Sequence, residues 1–181
     1  MEGNDLIENR SDISCLSFFN EEFRSKIEEL CPLLKQFTIY IVNKNDSKFT
    51  NDAHLDDNDA FGFYLVKDQA PISSTYVEII VDKKICQKLN LTQSEMMAAI
   101  AHEIGHVIKF FRVDAEDLQG LEEEVCCDMY ACRIGLATPL YSLLCKLIDS
   151  NLYNQEQSAM IKNRLLSIKN SICNNDNVIS M

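Results

Sequence analysis

The chain has 181 residues, of which 46% are hydrophobic and 25% charged, as in an ordinary globular protein with one substantial core. A formal net charge of −11 argues against nucleic acid and anionic membranes as partners. No stretch reaches the roughly 20 apolar residues that a membrane-spanning helix needs, so no such span is expected.

The N-terminal part of the chain is predicted to carry a small sheet. Residues 1–16 begin with acidic residues and contain no apolar signal region, so we expect a flexible arm and no secretory signal. Residues 17–181 are expected to form one domain. The predicted elements of this part are a helix over residues 20–31, strands over residues 37–42, 60–66 and 76–81, and a polar loop over residues 43–58.

The next helix carries the main motif. Its start is predicted at Thr92 and Glu95, which can form a capping box, and residues 102–106 read His-Glu-Ile-Gly-His, an HExxH motif. His102 and His106, at positions i and i+4, lie on the same helix face, so both imidazoles can bind one metal ion. That face is otherwise lined by alanines, which predicts that the two histidines are buried and need partners. We therefore expect a metal site and not two surface histidines.

Glu103 lies about 100° around the helix axis from His102, which places it near the metal without making it a ligand. Zinc lowers the pKa of a bound water towards ~7, and Glu103 is predicted to accept a proton as that water attacks a carbonyl. Gly105 costs about 1 kcal/mol relative to alanine in a helix interior, so we expect another backbone or a substrate to approach the helix there.

A further helix is predicted to end at Gly135, which has the residue type of a C-cap. Glu124 and Asp128 share one of its faces, one turn apart. A catalytic zinc takes three protein ligands and keeps one position open, so we predict Glu124 as the third ligand. Asp128 would accept the free N–H of a zinc-bound histidine and orient the ring. We interpret Glu122 and Glu123 as acidic residues of the first turn, where the helix dipole favours them.

The two motifs together resemble those of a known family. His-Glu-Ile-Gly-His is followed by Glu124-x-x-Cys127-Asp128-x-x-Ala131, and this pair looks like the gluzincin metallopeptidases with their Glu-x-x-Ala-Asp-x-x-Ala glutamate helix. Because the chain is short and lacks membrane spans, it is most similar to the small soluble minigluzincins. The resemblance covers roughly residues 76–136. Cys127 stands where the family usually has alanine, and we interpret it as a small packing residue instead of a competing thiolate ligand.

The resemblance implies a zincin-like α+β fold, with a small N-terminal mixed or antiparallel sheet, an active-site helix, a glutamate helix and covering C-terminal helices. It implies one zinc ion bound by His102, His106 and Glu124, with Glu103 as the general base and Asp128 beside the ligands. The implied activity is that of a zinc metalloendopeptidase, which hydrolyses the peptide bonds of a peptide or protein substrate.

Zincin-type peptidases hold an extended substrate against the edge strand beside the active helix, through main-chain hydrogen bonds. We predict that residues 76–82 form this edge strand, with residues 61–66 as the alternative.

Other functions are also consistent with the sequence. One is a protease dedicated to a single regulatory partner, such as a repressor. Another is a latent or non-catalytic zinc-binding regulatory module, in which Cys15 is one group that could fill the open zinc position. A third is an all-helical interaction protein whose motif arose by chance.

The C-terminal region is predicted to form two covering helices that carry no chemistry. The first starts with Thr138 as N-cap and Pro139 as the first helical residue. The second runs over residues 155–173, and its apolar stripe consists of Ile161, Leu165, Ile168 and Ile172.

The eight cysteines lie mostly in apolar helical patterns and include no C-x-x-C pair. We interpret them as buried free thiols of a protein in a reducing cytoplasm. His54, the third histidine of the chain, lies in the polar loop and is interpreted as a solvated side chain.

Overall fold

In a computed structural model of the chain, the described residues are 7–9, 21–30, 32, 34, 38–47, 60–66, 76–111 and 118–178. The chain divides into two compact units, Met1–Lys88 and Leu89–Met181. Within the predicted N-terminal arm, Ile7–Asn9 form a strand, and the other residues of the arm lie outside the described residues. A single domain over residues 17–181 stays a prediction.

The first unit contains a four-stranded sheet and two helices. Its elements are β1 (Ile7–Asn9), α1 (Glu21–Leu30), β2 (Thr38–Asn43), β3 (Phe61–Val66), β4 (Tyr76–Val81) and α2 (Lys83–Lys88). The strand order is β1-β2-β4-β3, in which β1, β2 and β4 run parallel and β3 runs antiparallel to β4. The predicted helix and the three predicted strands are confirmed to within one residue at each end, whereas β1 and α2 were not predicted.

Strand β4 lies inside this sheet. It pairs with β2 on one side and with β3 on the other, so the prediction that residues 76–82 form the edge strand is wrong. The alternative, β3, is an edge strand of the described sheet. Residues 77–81 of β4 are at most 3% exposed, and the carboxylate of Glu78 accepts a hydrogen bond from the Ser47 hydroxyl at 2.9 Å. Glu78 is therefore a buried, hydrogen-bonded carboxylate on an internal strand.

The second unit is helical. Its elements are α3 (Gln93–Phe111), α4 (Leu121–Arg133), α5 (Ala137–Asp149) and α6 (Gln155–Val178). Helix α3 packs against α4 and α5, and α6 packs against α4 and α5. Six helices and a small mixed sheet in the described part of the chain confirm the α+β class. None of the helices described has the length and apolar character that crossing a membrane requires.

Hydrogen bonds confirm the predicted start of α3 and the predicted end of α4. The Thr92 N–H donates to the Glu95 carboxylate at 2.6 Å and the Glu95 N–H donates to the Thr92 hydroxyl at 3.2 Å, which is a capping box. Gly135 follows the last turn of α4 with a φ of 87°. The N–H groups of Gly135 and Leu136 both donate back to carbonyls of that turn at 3.0 Å, which is a Schellman motif.

The predicted start of α5 is wrong by two residues. The helix begins at Ala137, so Thr138 and Pro139 lie inside its first turn and Thr138 is not the N-cap. Leu136, which already closes the end of α4, takes the capping position without a side-chain hydrogen bond. Pro139 is tolerated there because the N–H groups of a first turn have no intrahelical partner.

Glu95 also ties α3 to α5. The residue is 3% exposed, and its carboxylate accepts hydrogen bonds from the Ser142 hydroxyl at 2.6 Å and the Lys146 ammonium at 2.7 Å. Burial opposes the ionisation of Glu95, but the bonds from Lys146, Ser142 and Thr92 outweigh it and lower its pKa to about 2.

Helices α3 and α4 approach each other closely at Gly105. A Cβ atom placed on Gly105 would lie 2.9 Å from the Cα, 3.0 Å from the Cβ and 3.1 Å from the carbonyl oxygen of Cys127. The expectation that another backbone approaches the helix at this glycine is therefore confirmed.

We expect Glu95→Gln to lower the free energy of unfolding by about 1–3 kcal/mol at pH 7, because the carboxylate loses its charge-assisted bonds. The folded-state pKa of Glu95 lies below its ordinary value of 4.5. The difference in the free energy of unfolding between the wild type and Glu95→Gln therefore has its full size above pH 4.5 and shrinks as the pH falls towards about 2. Urea denaturation of both proteins at pH 7 and pH 3 measures the difference. Glu122→Gln, at an exposed position of α4, is the control. A difference that does not narrow at pH 3 contradicts the assigned role of the carboxylate.

We expect Gly105→Ala to destabilise the protein by about 1–3 kcal/mol, although alanine has the better helix propensity by about 1 kcal/mol. The added methyl group meets atoms of Cys127 that cannot rotate away. Cys127→Ala keeps the Cα, Cβ and carbonyl oxygen, so it should not relieve the clash. Thermal unfolding of both single variants and the double variant tests this. A double variant as stable as Cys127→Ala alone would show that the contact is not limiting.

Candidate metal centre

Helices α3 and α4 bring the three predicted ligands together. The Nε2 atoms of His102 and His106 lie 3.3 Å apart. The Glu124 carboxylate has one oxygen 3.3 Å from Nε2 of His102 and the other 3.4 Å from Nε2 of His106. Within the part of the chain that the structure describes, these residues form a group whose ligand atoms all lie within 4.8 Å of one another. His102, His106 and Glu124 can therefore hold a metal ion.

These distances suit a small divalent cation. Nitrogen and oxygen ligands at about 2.0–2.1 Å from a tetrahedral ion lie about 3.3–3.4 Å from one another. The two Nε2 atoms are 3.3 Å apart, and each lies 3.3 or 3.4 Å from a different oxygen of Glu124. Two imidazoles and a carboxylate also leave a fourth tetrahedral position without a protein ligand from this group.

Asp128 lies where the sequence analysis predicted it, beside His102. Its Oδ1 atom is 2.8 Å from Nδ1 of His102, and the residue is only 1% exposed. A carboxylate in this position accepts the Nδ1–H bond, which leaves the lone pair of Nε2 directed at the centre.

Glu123 has a second role besides its place in the first turn of α4. Its Oε1 atom lies 3.0 Å from Nδ1 of His106, and its Oε2 atom lies 3.0 Å from Nζ of Lys109. His106 is thus oriented in the same manner as His102, by a carboxylate on Nδ1. The interpretation of Glu123 as a first-turn residue alone missed this contact, whereas Glu122 is exposed.

Arg164 of α6 enters the same cluster. Its Nη1 donates to Oε2 of Glu124 at 2.7 Å, while its Nε and Nη2 donate to the two oxygens of Asp128 at 2.8 and 2.7 Å. The residue is 8% exposed. The prediction that the C-terminal helices only cover the site is therefore wrong for α6. One sequence signal was present: Arg164 stands three residues after Ile161 and four before Ile168, on the apolar stripe of its helix.

The charges of the cluster shift the pKa of its members. Burial and Arg164 oppose the protonation of His102, but the bonds to Asp128 and Glu124 outweigh them and raise its pKa to about 9. Burial opposes the ionisation of Glu124, but the hydrogen bonds from His102 and His106 outweigh it and lower its pKa. Protons and a metal cation compete for the same imidazole nitrogens, so metal binding at this centre is expected to weaken in acid.

Glu103 follows His102 directly in the chain, and Cys127 lies about one helical turn after Glu124. Burial raises the pKa of the Glu103 carboxyl, against the opposing effect of the two histidines, and a carboxyl tuned in this direction can both accept and return a proton. Cys127 is fully buried, and burial together with the charge of Glu124 raises the pKa of its thiol. A protonated thiol is a poor metal ligand, which supports its interpretation as a packing residue.

Cys15, a candidate for filling the open zinc position, and His54, predicted to be solvated, lie outside the described residues. Among the cysteines that are described, Cys126, Cys127, Cys132 and Cys145 carry free thiols.

In comparisons with known proteins, no family model, no curated protein and no solved structure matches the chain.

Proposed function

We propose that the protein is a zinc-dependent metalloendopeptidase with a zincin-like fold, similar to the gluzincins. The observation that carries the proposal is the convergence of His102, His106 and Glu124, whose ligand atoms all lie within 4.8 Å of one another. Support also comes from Glu103, an acid in the turn between the two histidines. An ion with an open position beside a general base is the arrangement that hydrolyses carbonyl compounds.

The three ligands would hold the ion, and zinc bound there supplies a Lewis acid that polarises a carbonyl and makes water more acidic. Glu103 accepts the proton of the attacking water and returns it to the leaving amine nitrogen as the carbon–nitrogen bond breaks. Because water attacks directly, no covalent intermediate with the protein forms. Asp128 and Glu123 keep the Nδ1–H groups of the two imidazoles bonded, so their Nε2 atoms stay directed at the centre.

A peptide or protein bound in extended form is the proposed substrate. Whether the enzyme digests proteins generally or cuts one regulatory partner is decided by its action on unstructured casein. A general protease degrades casein, whereas a dedicated one leaves it intact.

We expect protein purified without chelator to contain close to one equivalent of zinc, and His102→Ala and Glu124→Ala to lose it, because each removes one of three ligands. Metal analysis by mass spectrometry measures the content. His54→Ala, which changes the remaining histidine of the chain, is the matched control and should keep the metal. Equal zinc content in the wild type and in His102→Ala would rule out the assigned centre.

We expect Glu103→Ala to reduce peptide hydrolysis by about 10²–10⁴-fold while zinc stays bound, because the variant lacks the general base but keeps all three ligands. Digestion of a peptide library, followed by mass spectrometry, gives the rates. Glu122→Ala, an exposed glutamate of α4, is the matched control and should cleave like the wild type. If Glu103→Ala cleaves as fast as the wild type, another group is the base. If the wild type binds zinc and cleaves no member of the library, the protein is a latent or non-catalytic zinc-binding module.

A further inference from the structure

We propose that Arg164 is a positioning residue that presets the Glu124 carboxylate for metal binding through one of its oxygens. This inference rests on the proposed metal centre. Arg164 belongs to α6, whereas the ligands belong to α3 and α4. Helix α6 would therefore set the geometry of a site to which it contributes no ligand.

Arg164 contacts both the predicted ligand Glu124 and the carboxylate of Asp128, which lies beside the ligands. Nη1 donates to Oε2 of Glu124 at 2.7 Å, and Nε and Nη2 form a bidentate pair with Asp128 at 2.8 and 2.7 Å. One planar guanidinium thus fixes the relative orientation of two carboxylates that stand one turn apart on α4. Asp128 in turn is bonded to His102 at 2.8 Å, so the same cation supports two of the three ligands.

The two oxygens of Glu124 are not equivalent. Arg164 donates to Oε2, which also lies 3.3 Å from Nε2 of His102, whereas Oε1 lies 3.4 Å from Nε2 of His106. An oxygen that already accepts a short charge-assisted bond is the weaker donor to an ion. Arg164 therefore favours binding of the ion by one oxygen of Glu124, which keeps the coordination number low and preserves an open position.

The shape of the guanidinium is necessary for this role, and its charge alone is not sufficient. Glu124 and Asp128 are like charges four residues apart, and any buried cation would reduce their repulsion. Only a rigid fork can hold both oxygens of Asp128 and one of Glu124 at the same time, because an ammonium group is a point charge on a flexible stem. Arginine and lysine at this position should therefore differ in metal binding even when both fold.

The test compares Arg164→Lys with Arg133→Lys, which makes the same change at an exposed position nine residues, about 13 Å, along α4 from Glu124. Zinc affinity is measured by competition with a chromophoric chelator, and the coordination of Co²⁺ loaded in place of zinc is read from its visible absorption. We expect Arg164→Lys to bind zinc about 10–100-fold more weakly than the wild type. Its Co²⁺ absorption should also weaken, as coordination expands beyond four, whereas Arg133→Lys matches the wild type in both.

A folded Arg164→Lys protein with wild-type affinity and the wild-type Co²⁺ spectrum would overturn the proposal. If Arg164→Lys does not fold, Arg164→Gln combined with Asp128→Asn replaces the buried ion pair by neutral groups, and the amide oxygen introduced at position 128 can still accept the His102 N–H. A double variant that binds zinc more weakly than Asp128→Asn alone supports the proposal, and one with the same affinity as Asp128→Asn overturns it.

The outcomes also separate this inference from the proposed function. A wild-type protein that binds no divalent ion overturns the proposed centre itself, and the role of Arg164 with it. Zinc binding that depends on Arg164, without peptide hydrolysis, leaves this inference standing and removes only the proposed enzymatic activity.

Discussion

The close approach of α3 to α4 at Gly105 is the constraint on which the candidate centre depends. His102 and His106 belong to one helix and Glu124 to the other, so the distances from Glu124 to the two histidines are set by the spacing of the two helices. A side chain on residue 105 would meet the backbone of Cys127, and the missing side chain lets the helices pack at this short distance. Metal–ligand bonds tolerate changes of only a few tenths of an ångström, so this contact matters more for the site than for the packing around it.

The second constraint is charge. Helix α4 carries three acids that face the histidines or their partners, Glu123, Glu124 and Asp128, and burying carboxylates without partners is costly. Each is balanced from a different helix, by the histidines and Lys109 of α3 and by Arg164 of α6. All the charges of the cluster are balanced only when α3, α4 and α6 are packed together. Removing one partner of a buried ion pair strongly destabilises the folded protein, because the other charge is left buried and unpaired.

In the first unit, the positions of most strands follow from the local sequence pattern, whereas the order of the strands in the sheet does not. The sequence pattern predicted three of the four strands, β2, β3 and β4, within one residue, because β-branched and aromatic runs bounded by polar loops are local features. The order of those strands is not local. Strand β4 pairs with β2 on one side and β3 on the other, which makes it internal, while its own residues allow an edge or an internal position equally. The start of α5 was mispredicted for a related reason. Leu136 belongs both to the Schellman motif that ends α4 and to the capping position of α5, so the two helices follow each other more closely than the residue types at 138 and 139 indicate.

The sequence by itself determined the parts of the site whose spacing lies within one helix. The i, i+4 histidines, the capping box at Thr92 and the Schellman end at Gly135 each depend on residues a few positions apart. Only the tertiary structure decided the contacts of Arg164, which lies 40 residues from Glu124 along the chain, and the pairing of Glu123 with His106 across 17 residues. The physical reason is that helix geometry relates neighbours in sequence, whereas the packing of helices decides which distant side chains share a buried space.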